Sequence, residues 1–214
     1  MNIKVCGITT CEQVTLVAEA GADLVGFVLT PNSPRAVDSE TARDLAEAAA
    51  GSGVLSVGIF ADDPVDELES LYYDIGLDVV QLHGSEAPFE VKTLVDRGVT
   101  VWKAMAVGPD FRSVRVRQFW QAGAEAVLLD AWNPDKKGGT GETTDWAVAA
   151  QLAEEGPIVL AGGLNGGNVA GAIGQVRPWG VDASSTLETA PGIKDLAKVS
   201  SYVAATRLVA GLLG

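Results

Sequence analysis

A glycine recurs along this chain between the end of an amphipathic segment and the start of a short, β-branched apolar segment. Because the pattern is seen seven times, it limits the number of structural units that the chain can form. Glycine commonly ends a helix, since it adopts a positive φ without the penalty that a Cβ brings. We therefore predict that each of these glycines follows a helix and precedes a strand. The positions are Gly21, Gly53, Gly76, Gly98, Gly123, Gly156 and Gly180.

The apolar opening segment at 2–6 adds one strand and brings the predicted total to eight. These segments are almost continuously apolar, which is typical of parallel strands that are buried on both faces. Eight strand–helix units in 214 residues lie at the compact end of the range for closed barrels. An open doubly wound sheet, the competing architecture, usually has fewer strands and a glycine-rich turn after the first. The predicted class is α/β, a single-domain (β/α)8 TIM barrel over residues 1–214.

The composition argues against several classes of function. A net charge of −13, from 15 basic and 28 acidic residues, opposes binding to nucleic acid. Two cysteines and one histidine are too few for a typical zinc site or a disulfide framework, so we expect no metal. No apolar run reaches the ~18 residues that a membrane span needs, and the opening residues lack a signal-peptide pattern. We expect a cytoplasmic protein.

All strands of a parallel barrel end at one face, and barrels of this kind carry their chemistry there. The two longest predicted loops, 30–38 and 131–143, follow strands 2 and 6 and therefore lie on that face. The candidate functional residues are those at the strand ends and in these loops.

An anion site is predicted where the last two strands end. Gly162 and Gly163 follow strand 7, and Ser184 and Ser185 follow strand 8. Glycines let an anion reach bare backbone N–H groups, and these two loops commonly hold phosphate in this fold. The alternative is a pair of flexible turns. We favour a phosphorylated small-molecule ligand, because a chain with this net charge needs a local site to hold an anion.

Cys6 and Asp130 lie at the ends of strands 1 and 6 and suit proton transfer. A thiol with a reference pKa near 8.5 becomes a usable base after modest tuning. The alternative for Cys6 is a small buried hydrophobic residue, and for Asp130 an N-cap-like loop residue. Across the barrel mouth, the two would form a complementary base and acid.

Three further residues are candidates for binding a substrate. Arg35 lies in a loop stiffened by Pro31 and Pro34, so its guanidinium is presented for a carboxylate. His83 follows strand 4 and is either a satisfied strand-end histidine or a group that contacts the substrate. Gly141 ends the run GGTG, which is either a mobile lid or an ordinary loop.

Nine short segments, spread along nearly the whole chain in the family's order, resemble the phosphoribosylanthranilate isomerase family of tryptophan biosynthesis. Any one of the segments is a weak signal, whereas their combination on one barrel is specific. The segments are KVCGIT at 4–9, GFVLTPNSPRAV at 26–37, VQLHG at 80–84, LLDA at 128–131, GGTG at 138–141, DW at 145–146, LAGGLNGGNV at 160–169, VDASS at 181–185 and PGIKD at 191–195.

The resemblance implies a barrel without cofactor or metal that catalyses an Amadori rearrangement. The substrate would be N-(5-phosphoribosyl)anthranilate and the product 1-(2-carboxyphenylamino)-1-deoxyribulose 5-phosphate. The resemblance implies that Cys6 is the general base, that Asp130 is the general acid and that Arg35 binds the anthranilate carboxylate. It also implies that the segments 162–163 and 184–185 bind the phosphate.

We expect His83, Gly141 and Asp182 to contact the substrate as well. The hypothesis for Asp182 is that its carboxylate stabilises the iminium intermediate or positions the substrate.

Three positions depart from the family pattern. Thr10 stands where arginine is usual, and Glu142 stands where lysine is common. Thr186 replaces a glycine in the loop after strand 8, which puts the geometry of the predicted phosphate loop in question.

Three other functions are compatible with such a barrel. A dual-substrate isomerase that also serves histidine biosynthesis needs a second phosphate site, against which the acidic, glycine-free segment 60–64 argues. An indole-forming lyase wants lysine and glutamate at the mouth, and the single candidate, Lys103, lies mid-strand. A non-catalytic phosphosugar-binding barrel is the third.

The short loops show no large apolar patch, which favours a monomer, with a homodimer left open.

Overall fold

The computed structural model describes residues 1–131 and 145–213, and within them eight parallel strands form a closed barrel. Each strand pairs with the next in sequence, and β8 closes the barrel against β1. The predicted (β/α)8 barrel is therefore confirmed. The strands are β1 Asn2–Cys6, β2 Leu24–Val28, β3 Leu55–Phe60, β4 Val79–Leu82, β5 Val101–Val107, β6 Ala126–Ala131, β7 Ile158–Leu160 and β8 Gly180–Ala183.

Helices follow the strands and cover the outside of the barrel. None of the helices in the described ranges is long and apolar enough to cross a membrane. After β8, a 3₁₀ turn at Ser185–Leu187 leads into a two-stranded antiparallel sheet of β9 Glu188–Ala190 and β10 Ile193–Lys194. The helices are α1 Cys11–Glu19, α2 Ser39–Ser52, α3 Val65–Ile75, α4 Pro88–Asp96, α5 Ser113–Gln121, α6 Trp146–Ala153, α7 Val169–Val176 and α8 Leu196–Leu213.

Five of the seven glycines end helices as predicted, with φ between +72° and +98°. Gly156 also lies between a helix and a strand, but neither Gly156 nor Gly180 has the positive φ expected of a helix end. Helix α7 ends instead at Arg177, which has a φ of +50°, and Gly180 begins β8. A Cβ at Gly180 would lie 3.0 Å from the carbonyl oxygen of Asn2, and a Cβ at Gly156 would lie 2.9 Å from the ring of Trp120. These two glycines therefore permit close packing and do not cap helices.

Side chains alternate between two buried clusters along each strand, as the pleat of a β-strand requires. The larger cluster lies between the strands and the helices and includes Val5, Val127 and Leu129. The smaller cluster fills the barrel interior and includes Cys6, Trp102 and Leu128. The parity of a residue therefore decides whether its side chain faces the helices or the interior. Interior-facing residues near the carboxyl ends of the strands form the floor and walls of the barrel mouth.

Candidate active site

Cys6 is the last residue of β1, and its thiol faces the barrel interior. The neighbouring strand makes room for it with a glycine, since a Cβ at Gly26 would lie 2.9 Å from the Cys6 sulfur. Gly7 then turns the chain with a φ of +79°. Glycines at 7 and 26 therefore leave room for the thiol at the carboxyl end of β1.

A buried ion pair lies one interior position below Cys6. Lys4 and Asp182 pair by register between β1 and β8, and their side chains meet with an Nζ–Oδ1 distance of 3.0 Å. Burial alone would lower the pKa of Lys4, but Asp182 and Cys6 beside it raise that pKa above the ordinary value. The ammonium group therefore stays charged inside the barrel.

Burial is the main influence on the Cys6 thiol, and it raises the pKa of the group. The positive charges of Lys4 and Lys194 oppose that effect, whereas the Asp182 carboxylate adds to it. The two lysines offset part of the effect of burial, but the pKa of Cys6 stays above its ordinary value, so the thiol is not tuned towards neutral pH as the sequence analysis expected.

Asp130 lies near the end of β6 with its side chain in the interior. Burial raises the pKa of Asp130 to about 6, and the Asp182 carboxylate adds to this rise. The backbone N–H of Ala131, which donates to Oδ1 at 2.8 Å, lowers the pKa in part. A carboxyl group with such a pKa exchanges its proton near neutral pH and suits a general acid.

His83 follows β4 and faces the Asp130 carboxylate, with Nε2 at 3.9 Å from Oδ2. Desolvation lowers the pKa of His83 to about 4, and the positive charges of Lys103 and Lys4 contribute to this shift. The imidazole is therefore neutral at pH 7, and its contact with Asp130 is not an ion pair. The structure thus brings two predicted site residues together.

Arg35 reaches the mouth from the loop after β2, where its side chain crosses Gly7. A Cβ at Gly7 would lie 2.6 Å from Arg35 Cδ. The guanidinium donates through Nε and Nη2 to both carboxylate oxygens of Glu188, at 2.8 and 2.6 Å. Glu188 also accepts from the ammonium group of Lys194 at 2.6 Å. The predicted carboxylate-binding arginine is therefore held by an acid of its own chain.

The two predicted anion-binding loops lie side by side. Gly162 and Gly163 have φ values of +88° and +64°, and the Gly163 carbonyl accepts from the side chain of Asn168 at 2.9 Å. The Ser184 hydroxyl donates to the carbonyl of Cys6 at 2.9 Å, while Ser185 opens the 3₁₀ turn. The loop after β8 is thus tied directly to the strand that carries the thiol.

Thr186, the departure from the family pattern, adopts no left-handed backbone conformation. Its hydroxyl donates to the carbonyl of Leu164 and so joins the loop after β8 to the loop after β7. The absence of a glycine at this position therefore brings no backbone strain.

Lys103 takes no place in the barrel mouth. It lies on β5 between the interior residues Trp102 and Ala104, so its own side chain faces the helices. Its ammonium group donates to three backbone carbonyls and, at 2.9 Å, to Glu86. Lys103, the lysine on which the indole-forming lyase hypothesis depended, is therefore not available at the mouth.

The sequence analysis missed Lys4, Glu188 and Lys194. Lys4 stands two residues before Cys6 in an apolar strand, and this parity is a signal that could have placed it in the interior. Gly141 and the departure at Glu142 lie outside the described residues. Among the residues that are described, no group of three or more His, Cys, Asp or Glu side chains could hold a metal ion.

Comparisons with known proteins identify the family and the fold. The model of the family described as N-(5'-phosphoribosyl)anthranilate (PRA) isomerase matches residues 3–205. The chain belongs to this family. N-(5'-phosphoribosyl)anthranilate isomerase of Rubrobacter xylanophilus is 43% identical over 206 residues, which cover 96% of this chain and 98% of that protein.

Solved structures of the family superpose on nearly the whole chain. The enzyme from Thermus thermophilus gives a TM-score of 0.85 at 35% identity and covers 98% of this chain and 100% of its own. A second structure, a complex with reduced 1-(o-carboxyphenylamino)-1-deoxyribulose 5-phosphate, gives a TM-score of 0.80 at 31% identity, with coverage of 97% and 98%. The family resemblance found in the sequence is confirmed.

Proposed function

We propose that Cys6 and Asp130 are the base and the acid with which this chain carries out the reaction of its family. That reaction is the Amadori rearrangement of N-(5-phosphoribosyl)anthranilate in tryptophan biosynthesis. The observation that carries the proposal is the placement of both groups on the interior face, at the same end of the barrel, with the pKa of Asp130 raised to about 6.

Asp130 opens the sugar ring. Its carboxyl group donates a proton to the ring oxygen as the bond from that oxygen to carbon 1 breaks, and the nitrogen lone pair forms the iminium. His83 is neutral and adjacent, so it leaves the proton of Asp130 available and adds no competing positive charge. General acid catalysis of this kind typically contributes about 10²- to 10⁴-fold to the rate.

Cys6 then removes the proton from carbon 2. The electrons of that C–H bond form a double bond between carbons 1 and 2, and the iminium nitrogen receives the electron pair of the C=N bond. The resulting enolamine tautomerises to the ketone. Lys4 stabilises the thiolate from below, and Lys194 adds a second positive charge.

The two ends of the substrate bind on either side of the reacting carbons. Arg35 keeps Nε and one Nη2 hydrogen on Glu188, and its remaining N–H groups receive the anthranilate carboxylate. Backbone N–H groups at Gly162, Gly163, Ser184 and Ser185 receive the phosphate. A solved structure of the family holds a reduced phosphorylated ligand, which supports a phosphorylated substrate for this chain.

The test is turnover of freshly made phosphoribosylanthranilate, followed by the loss of its fluorescence. We expect Cys6→Ala and Asp130→Asn each to lower kcat by about 10²- to 10⁴-fold, and Cys11→Ser, at the exposed cysteine, to leave it unchanged. An inert wild-type protein that still binds the reduced product would contradict the proposal and favour the non-catalytic phosphosugar-binding barrel.

The pH dependence of kcat/KM is a second test of Cys6 and Asp130. The active form holds a protonated Asp130 and a Cys6 thiolate. Below a pH of about 6, Asp130 is already protonated and the thiolate fraction falls tenfold per unit, so kcat/KM falls with it. Above the pKa of the thiol, the protonated fraction of Asp130 falls instead. We expect a flat maximum between these limits. In Asp130→Asn, the residual kcat/KM should instead rise with pH up to the pKa of the thiol and stay level above it, because this variant has no proton at position 130 to lose.

A monomeric state, a cytoplasmic location and the absence of a cofactor remain predictions.

A further inference from the structure

Gln81 has a side-chain oxygen for which the described part of the barrel offers no hydrogen-bond donor. It lies in β4 and is 2% exposed. Its carbonyl oxygen, Oε1, is fully buried and accepts no hydrogen bond from any residue that the structure describes. A buried acceptor of this kind destabilises the folded state unless something else satisfies it.

The side chain of Gln81 faces the barrel interior just below the mouth. Val79, two residues earlier, belongs to the interior cluster, whereas Val80 and Leu82 pack against the helices. His83, two residues later on the same face, contacts the proposed acid Asp130. Gln81 therefore lies one interior position below a group at the reacting end of the barrel.

The other interior polar groups at this depth have partners. Lys4 and Asp182 satisfy one another at 3.0 Å. The strand neighbours of Gln81 by register are Ile59 and Trp102, and both belong to the interior cluster and so flank it with apolar surface. Nothing in the described chain competes for the carboxamide oxygen.

We infer that the Gln81 carboxamide is a substrate-binding group whose Oε1 accepts a hydrogen bond from the hydroxyl on carbon 3 of the sugar. This inference rests on the proposed function. Arg35 and the loops after β7 and β8 take the two charged ends of the substrate, which leaves the sugar chain over the centre of the barrel. The hydroxyl on carbon 2 becomes a ketone and loses its proton, whereas the hydroxyl on carbon 3 donates from substrate to product.

The role predicts a combination of effects that a structural glutamine does not. Gln81→Leu replaces the carboxamide with an apolar side chain of similar size and removes the unsatisfied oxygen. We expect the variant to unfold at the same or a higher urea concentration than wild type. At the same time, we expect its KM to rise about tenfold, the value of one lost neutral hydrogen bond in a dry site.

Tyr202→Phe is the matched control. The Tyr202 hydroxyl is a second fully buried oxygen without a partner in the described chain, and it lies in α8 outside the barrel. Its removal relieves the same kind of defect away from the substrate. We expect the same or higher stability with kcat and KM unchanged.

The deciding measurement uses the substrate and its 3-deoxy analogue with wild type and Gln81→Leu. We expect wild type to lose about tenfold in kcat/KM with the analogue and the variant to lose nothing further. An equal loss with both proteins would overturn the assignment of the hydroxyl. A destabilised Gln81→Leu protein with unchanged KM would show a packing role and overturn the inference.

Binding of reduced 1-(o-carboxyphenylamino)-1-deoxyribulose 5-phosphate separates this inference from the proposed function. If wild type does not turn over the substrate, the proposed function fails. The inference then depends on affinity alone, where a tenfold weaker Kd for Gln81→Leu supports it and an equal Kd overturns it.

Discussion

Lys4 and Lys103 are both almost fully buried on strands of the same barrel, yet they lie in regions with different roles. Lys103 faces the helices, where three carbonyls and the Glu86 carboxylate surround its ammonium group. Lys4 faces the interior, where its ammonium group has Asp182 and the Cys6 thiol as neighbours. We call these the anchoring region, Lys103 with Glu86, and the reacting region, Lys4 with Asp182 and Cys6.

The two ammonium groups differ in the groups that surround them. In the anchoring region, Glu86 also accepts the backbone N–H groups of Asp62 and Gly84 at 2.9 and 3.1 Å. The Asp62 bond joins the loop after β3 to the loop after β4, and the Gly84 bond lies within the loop after β4, so the pair fixes the segment that carries His83. In the reacting region, the charge of Lys4 acts on Cys6, the proposed base. The donors of Lys103 are used by three carbonyls and Glu86, whereas Lys4 has the proposed base as a neighbour.

The largest effect that separates the regions is expected from Lys103→Met. The substitution leaves Glu86 buried without its countercharge, and breaking a buried pair in this way costs about 3–5 kcal/mol of unfolding free energy. Urea unfolding measures this loss. Lys92→Met, at an exposed i,i+4 pair with Asp96, should change stability little. A Lys103→Met protein as stable as wild type would contradict the anchoring role.

Lys4→Met also breaks a buried pair and should lower stability as well, but we expect a further effect on Cys6 in the folded protein. Loss of the ammonium group leaves Asp182 as the nearest charge and raises the pKa of Cys6, and each unit of that rise lowers the thiolate fraction tenfold. In a Cys11→Ser background, the alkylation rate of Cys6 by iodoacetamide at pH 8 should fall by about tenfold or more. Lys103→Met should leave this rate unchanged where it is folded. Equal rates for Lys4→Met and its parent would remove Lys4 from the reacting region.

The comparison of the two lysines also shows how far the sequence carries. Alternation along a strand places Cys6 and Lys4 on one face, and the same rule turns Lys103 outward, so parity alone separates the two. The contact between Arg35 and Glu188 joins residues 153 positions apart, and no local pattern predicts it. Gly156 and Gly180 failed as predicted helix ends, because glycine serves left-handed turns and close packing equally well.

The missing hydrogen-bond partner of Gln81 Oε1 is also a feature that the sequence alone does not predict. The motif VQLHG marks the residue, but its lack of a partner is a property of the three strands around it. Only the closed barrel shows that Ile59 and Trp102 flank it without polar groups.

The smallest effect is expected where a departure from the family pattern joins the two proposed phosphate loops. Thr186→Val keeps the side-chain shape and removes the hydroxyl that donates to Leu164. One such bond is worth about 1 kcal/mol, so KM should rise by at most about fivefold. Because the bond lies among binding groups and not beside Cys6 or Asp130, kcat should not change. Thr189→Val, in an exposed hairpin, is the control, and a fall in kcat for Thr186→Val would mean that the phosphate loops and the reacting region are coupled.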